Sequence, residues 1–469
     1  MILHGPKVRG FSLLSDHSLC YAKARGKGVD DLSVTAKDEG FVGQTHQGVG
    51  WYCFPTSRFK TITLHAFIIN ELNREEAAFG AILPHMLQHG TKKWPSFMQM
   101  EQHLEELYGA SLRAEVGKIA DKQLISVHLE IVNGQYLPGK PDTLSLALEF
   151  LQEILDYPYT QNGVFPEDVL NQEKDLLRRQ ILGLINDKGQ YALSRLIEAM
   201  ADGSRFGLRK LGRIEDLEKI TPHTLYDYYQ KVHNTHPMIL FAVGDINPEI
   251  IEQFIGNYHT SQPRRALGSI EPYRAHFHDR LLTEHRDIRQ GKLNLGYHTG
   301  ITLTNGDYPA LMMYAGILGG FPHSKLFVNV REKASLAYYA YARLEALLGY
   351  MIVGAGIEFE DFDAAFDIIR QQVDAVRQGE ISDQEWDFTL RAFDNDILAE
   401  EDNPSQLIAR HLESVMAGGG LFGEPLRKAL HEVTSEQVKH VAQDISLDTV
   451  FFLTRTEDLT TVAREADES

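Results

Sequence analysis

The sequence predicts an α+β protein made of two homologous halves, with helices laid on one face of each sheet. Three observations predict it. Short segments recur in the same order along the chain. Apolar residues repeat at period 2 in some stretches and 3.6 in others, without strict β-α-β succession. The composition, 43% hydrophobic and 24% charged over 469 residues, supplies enough apolar surface for large cores without covalent staples.

The elements follow in order. Residues 1–47 are rich in Gly, Ser, Asp and Lys and show no sustained period, so they read as an N-terminal extension, with ordered structure expected from Val49. The first half is expected to span 48–245. Lys60 to Ile69 is an apolar strand, and helical spacing begins after Asn73. Ser96 to Tyr108 is a helix signed at both ends, by Ser96 followed by Gln99 and by Gly109 at its stop. From Leu124 to Val132, Ile125, Val127, Leu129 and Ile131 alternate with Ser126, His128 and Glu130, which predicts a half-buried antiparallel strand. Helices are expected over Pro141 to Leu155, Glu167 to Leu184 and Tyr191 to Met200. A helix from Ile220 to Tyr229 then runs into the strand Met238 to Val243.

Asn247-Pro248 and Pro263-Arg264-Arg265 are breakers, and they mark a polar linker over 246–275. The second half, 276–469, repeats the first. Lys292 to His298 answers the strand at Lys60, and Ala334-Ser335-Leu336 answers Ala110-Ser111-Leu112. Ile397-Leu398 answers Ile181-Leu182, and Leu426-Arg427-Lys428 answers Leu208-Arg209-Lys210. The closing helix and strand return as Val433 to Val438 and Thr449 to Leu453. Four matches in one order at nearly constant offset indicate an internal duplication.

With 46 Lys and Arg against 65 Asp and Glu, the formal net charge is −19. A polyanion repels phosphate backbones and acidic lipid, so neither nucleic acid nor membrane is expected as a partner. Cys20 and Cys53 are the two cysteines; with no C-x-x-C they exclude a disulfide scaffold, fit a reducing compartment, and read as plain thiols. The N-terminal residues lack the apolar core of a leader, and the apolar run around Ala310 to Leu318 is too short to span a bilayer. The expected location is the cytoplasm. There is no G-x-S-x-G and no G-x-x-x-x-G-K-[ST]; Gly418 to Gly423 satisfies G-x-G-x-x-G, but it follows a helical stretch instead of a strand and reads as a flexible loop.

One stretch bears on chemistry: Phe79-Gly80-Ala81-Ile82-Leu83-Pro84-His85-Met86-Leu87-Gln88-His89-Gly90-Thr91. It resembles the zinc helix of the pitrilysin/insulinase-type metallopeptidases, in which H-x-x-E-H precedes Met-Leu and Gly-Thr. In that register the motif falls on Ala81 to His85, and only His85 survives. The resemblance implies two histidine ligands and a glutamate base there; Ala81 cannot ligate and Pro84 cannot accept a proton. Pro84 also removes a donor and crowds the Gly80 carbonyl, so a kink is expected. The family's third ligand is a glutamate on a later helix, and Glu173-Lys174-Asp175-Leu176-Leu177-Arg178-Arg179-Gln180-Ile181 matches that helix with Gln180 in the ligand's place. One turn along, His85 and His89 in H-x-x-Q-H form a possible half-site for a transition metal, centred on a Gln88 that cannot act as a base.

The second half keeps more. Gly319-Gly320, Ser324, Leu326-Phe327, Arg331-Glu332-Lys333 and Tyr338 resemble the second-half signature of the same family. There the Arg and Tyr reach the zinc site of a first half, hold substrate backbone and stabilise the oxyanion, as cationic and phenolic donors can. The resemblance implies paired sandwich halves of the LuxS and mitochondrial-processing-peptidase type, enclosing a chamber where peptide adds as a strand. It also implies a noncatalytic subunit: no metal cofactor in this chain, zinc in a homologous H-x-x-E-H partner, and Arg331 and Tyr338 given to that partner's site. The alternatives are a zinc peptidase using His85 and His89, and a peptide-binding homodimeric scaffold. The negative charge leads us to expect that basic or neutral peptides are preferred to acidic ones.

Overall fold

Residues 40–256, 263–275 and 279–456 are described in the computed structural model. The first half contains β1 (Val42–His46), β2 (Val49–Pro55), β3 (Thr61–Glu71), α1 (Ala77–His89), α2 (Phe97–Glu106), β4 (Ser111–Ile119) and β5 (Lys122–Val132). It continues with α3 (Thr143–Asp156), α4 (Glu167–Gly183), α5 (Lys188–Ala201), α6 (Pro222–Thr235), β6 (Met238–Gly244) and α7 (Pro248–Gly256). The second contains β7 (Arg280–Arg286), β8 (Gly291–His298), α8 (Tyr308–Ala315), β9 (Ala337–Glu345), β10 (Tyr350–Ile357) and α9 (Phe362–Gln378). It closes with α10 (Asp383–Glu401), α11 (Pro404–Ala417), α12 (Gly423–Glu432), α13 (Ser435–Gln443) and β11 (Ser446–Arg455).

Several element ends are written in the sequence. The Ser96 hydroxyl accepts from the Gln99 N–H at the start of α2, and Gly109 past its end takes φ +73°, a conformation open to glycine at little cost. Thr221 and Thr434 cap α6 and α13 with reciprocal capping boxes, so the repeated helices begin by the same chemistry.

The sheets prove the duplication. Their strand orders are β1-β2-β6-β3-β5-β4 and β7-β11-β8-β10-β9. Without β1 they are the same order, and each holds one parallel pair, β2 with β6 and β7 with β11, in the same place. One core packs α1, α3, α4 and α6 on the first sheet; a second packs α8, α9 and α13 on the other.

The opposite faces are covered by an exchange that local patterns did not foretell. Helix α5, from the first half, places Leu196 and Met200 against Tyr350, Ile352 and Phe451 of the second sheet. Gly296 makes room: a Cβ there would lie 2.2 Å from the Met200 sulfur. Reciprocally, α11 places Leu407, Ile408, Leu412 and Met416 against Phe54, Phe67 and Phe241 of the first. This explains why the half-buried expectation for β5 is too open, with Ser126 only 3% exposed.

Other expectations are corrected. Strand β1 lies within the stretch read as an extension, because it adds antiparallel to β2; residues 1–39, with Cys20, lie outside the described residues. The segment read as a linker opens with α7, whose Ile251 and Ile255 are buried in the first core. Its later part is tied to both halves, by Arg264 donating to the His236 carbonyl at 3.0 Å and by the Tyr273 N–H donating to the Leu348 carbonyl at 2.7 Å. The Gly418 to Gly423 loop caps α11 and packs Gly420 on Leu303, so it is a packed helix–helix turn. Among the described residues no helix is long and apolar enough to cross a membrane.

Candidate functional site

Helix α1 carries Ala81, Pro84 and His85, the positions that the resemblance gives to metal and base. It runs as one helix through Pro84, with Ala81, Ile82, Leu83, Met86 and Leu87 buried around the proline. Ala81 faces the core and His85 and His89 are half-buried. Helix α4 packs beside α1 through Leu177 and Ile181, with Gln180 exposed on its outer side. Hydrocarbon, a pyrrolidine ring and a neutral amide at Ala81, Pro84 and Gln180 do not fit a zinc ion or its base. Among the described residues no group of three or more His, Cys, Asp or Glu side chains is placed to hold a metal. Cys53 is buried, and burial pushes its thiol up to about 12, which removes it as a nucleophile near neutral pH.

Gln88, the centre of the shifted H-x-x-Q-H, is engaged elsewhere. Its side-chain amide donates to the Leu112 carbonyl at 3.3 Å and its oxygen accepts from the Ala114 N–H at 3.2 Å. Both partners lie on β4, the edge strand of the first sheet. With its amide held by strand backbone, Gln88 does not orient toward a metal between His85 and His89.

In the second half, Phe327–Lys333 is a π-helical turn, a wider coil that presents Arg331 outward. The Ala334 N–H donates to the Asn329 carbonyl at 3.2 Å and the Leu336 N–H to the Val330 carbonyl at 3.0 Å, folding the chain back into β9. Ser335 at the bend has φ +57°, a left-handed conformation that costs a non-glycine residue about 1–2 kcal/mol. The reversal sets Tyr338 beside Arg331: the guanidinium carbon lies 4.6 Å from the Phe327 ring centre and 5.8 Å from that of Tyr338. Tyr338 is 74% exposed, and among the described residues no carboxylate pairs with Arg331. A surface cation and a phenol are thus held together by π contacts with their donors turned to solvent.

The turn has supports the sequence did not disclose. Asn329 donates to the Lys325 carbonyl at 2.9 Å and to the Gln372 side chain at 2.8 Å, pinning the π turn to α9. Lys325, itself buried, pairs with Glu385 at 2.9 Å, pinning it to α10. Burial pushes the Glu385 carboxyl up, but bonds from the Ser382 N–H, Lys325 and the Ser382 hydroxyl outweigh this and leave it below its ordinary value. The partners are distant in sequence, so the only local signal was a lysine within an apolar run.

Fold and residues together define a metallopeptidase-like chain without its metal. The family model described as "Peptidase M16 inactive domain" matches residues 219–393. A probable inactive metalloprotease, YmfF of Bacillus subtilis, is 35% identical over 414 residues, covering 88% of this chain and 97% of the relative. The chain therefore belongs to the M16 peptidase family, on its inactive side. A solved structure of a conserved protein from Enterococcus faecalis V583 is 28% identical, with a TM-score of 0.81 over 90% of this chain and 100% of that one. A peptidase M16 inactive domain from Pseudomonas fluorescens shares the fold at 16% identity, with a TM-score of 0.71 over 89% and 98% of the two chains.

Proposed function

We propose that this chain is the noncatalytic subunit of a two-chain peptidase in the cytoplasm. A homologous H-x-x-E-H subunit supplies zinc and base, and this chain supplies Arg331, Tyr338 and part of a peptide-enclosing wall. The observation that carries the reading is the contrast within one chain. The positions the family gives to metal and base are filled by Ala81, Pro84 and Gln180, whereas Arg331 and Tyr338 stand together, exposed and, among the described residues, uncommitted to a carboxylate. Attack on a peptide carbonyl moves negative charge onto its oxygen. A guanidinium and a phenol placed there donate hydrogen bonds that strengthen as the charge develops, which lowers the barrier.

The test is reconstitution. The chain alone should hold no stoichiometric zinc and cleave no peptide, while an equimolar mixture with a homologous H-x-x-E-H chain should elute as a pair and gain activity. Stoichiometric zinc and proteolysis by the chain alone, both lost in His85→Ala with His89→Ala, would establish the remodelled metal site instead. Peptide binding by a stable homodimer that ignores the second chain would establish the scaffold.

A further inference from the structure

The edge of β4 is occupied by the protein's own side chains. An edge strand turns alternate N–H and C=O groups outward, where another strand can pair. On β4 these belong to Leu112, Ala114 and Val116. Gln88 takes the Leu112 carbonyl and the Ala114 N–H, and the Lys210 ammonium takes the Val116 carbonyl at 2.8 Å. A carboxamide has the same donor and acceptor as a peptide unit. Bridging C=O of one residue and N–H of the next but one is what a residue of an added parallel strand does.

The position is built. Gln88 projects from the last turn of α1, whose Met86 and Leu87 are buried in the first core, so its reach to β4 is fixed by packing. The helix end of the second half bears Gly319, which has no side chain to reach an edge strand and whose backbone lies so close to β9 that a Cβ would be 2.4 Å from the Ala342 nitrogen.

We infer that Gln88 is a built-in plug: it stands in for a peptide strand on the β4 edge, and an extended peptide pairs with Leu112 to Ala114 only by displacing it. The inference concerns this chain alone and does not rest on a partner subunit, so its failure leaves the proposed function untouched. Its chemistry selects for main chain over side chain, because what Gln88 satisfies is backbone.

The test uses Gln88→Met, which keeps length and removes both hydrogen bonds, in the full chain. Amide hydrogen exchange at Ala114 and binding of a ten-residue uncharged extended peptide are measured, beside the same peptide N-methylated at alternate residues. The variant should lose protection at Ala114 and bind the plain peptide about tenfold tighter than wild type, as two net hydrogen bonds of about 1 kcal/mol each no longer compete in full. The N-methylated peptide should gain nothing. Unchanged Ala114 protection, no gain in affinity once protection is lost, or an equal gain for the N-methylated peptide each overturns the inference. Should Gln88→Met fail to fold, Gln88→Asn, polar but too short to span both groups, reads the same quantities.

Discussion

The helix-to-edge-strand junctions of the two halves share one topology and have diverged in what they expose. In the first, α1 buries Ala81, carries Pro84 and lays Gln88 on β4. In the second, the segment after α8 opens into a π turn that holds Arg331 and Tyr338 outward at the start of β9. The same scaffold therefore presents a backbone-bound amide at one junction and a solvent-facing cation and phenol at the other. The difference teaches that the two junctions have diverged in chemistry, the first filled by side chains that do not fit a metal and the second carrying backbone strain at Ser335 beside an exposed cation and phenol.

The sharpest way to break this comparison is to reopen the first junction. Ala81→His, Pro84→Glu and Gln180→Glu together should take the chain from no retained zinc to about one equivalent, read by metal analysis after dialysis. No uptake would mean that the α1 and α4 backbones have also drifted from a metal-binding spacing.

A second measurement compares the duplicated helices α4 and α10. The repeated dipeptide Ile181-Leu182 and Ile397-Leu398 buries its isoleucine in each half and leaves each leucine 49% exposed. Each Ile→Ala should cost about 2–4 kcal/mol in denaturant unfolding, whereas each Leu→Ala should cost under about 0.5 kcal/mol. Unequal isoleucine costs would show that the halves differ in how well their cores close.

Acid should act through the helix exchange. His411 on α11 is partly buried with its Nδ1 enclosed, stacked on Phe41 with Tyr52 and Phe241 around it, and burial lowers its imidazole to about 3. His65 on β3 is held well below its ordinary value by burial first, then by His128 and Arg113. Both stay neutral in the folded chain, while in the unfolded chain they take a proton near pH 6.5. Stability is therefore complete above that pH and falls below it, by about 1.4 kcal/mol per pH unit per histidine until the folded value is reached. A melt series from pH 7.5 to 5 should show the loss, and His411→Phe should flatten it by one histidine; an unchanged slope would remove His411 as a cause.

The smallest effect concerns charge. At low salt, basic peptides should bind more tightly than acidic ones of equal length, the gap closing as salt screens the −19 chain. Equal binding at low salt would show that the peptide-facing surface does not share the net charge.

Much of this fold was legible because its signals are local. The cap at Ser96 and the alternation at Ile125 to Ile131 concern residues a few positions apart. What escaped depends on distant partners. Met200 reads as an ordinary helix residue, and nothing near it says that it fills the space above Gly296 of the other half. Ile251 and Ile255 follow Asn247-Pro248, a breaker pair that masked α7 as linker. At the site, the unsuitability of Ala81, Pro84 and Gln180 as metal ligands or base was readable because those residue types have fixed chemistry. The engagement of Gln88 with β4 was not, since it needs the strand's place at the sheet edge.

The measurement that tests the central claim most directly is kcat of the reconstituted pair carrying Arg331→Ala or Tyr338→Phe in this chain, with assembly checked by elution. The account predicts that the pair forms normally and kcat falls by about 10²–10³ for Arg331→Ala, with a smaller loss for Tyr338→Phe. A pair that assembles and cleaves peptide at the wild-type rate with both residues substituted would contradict it.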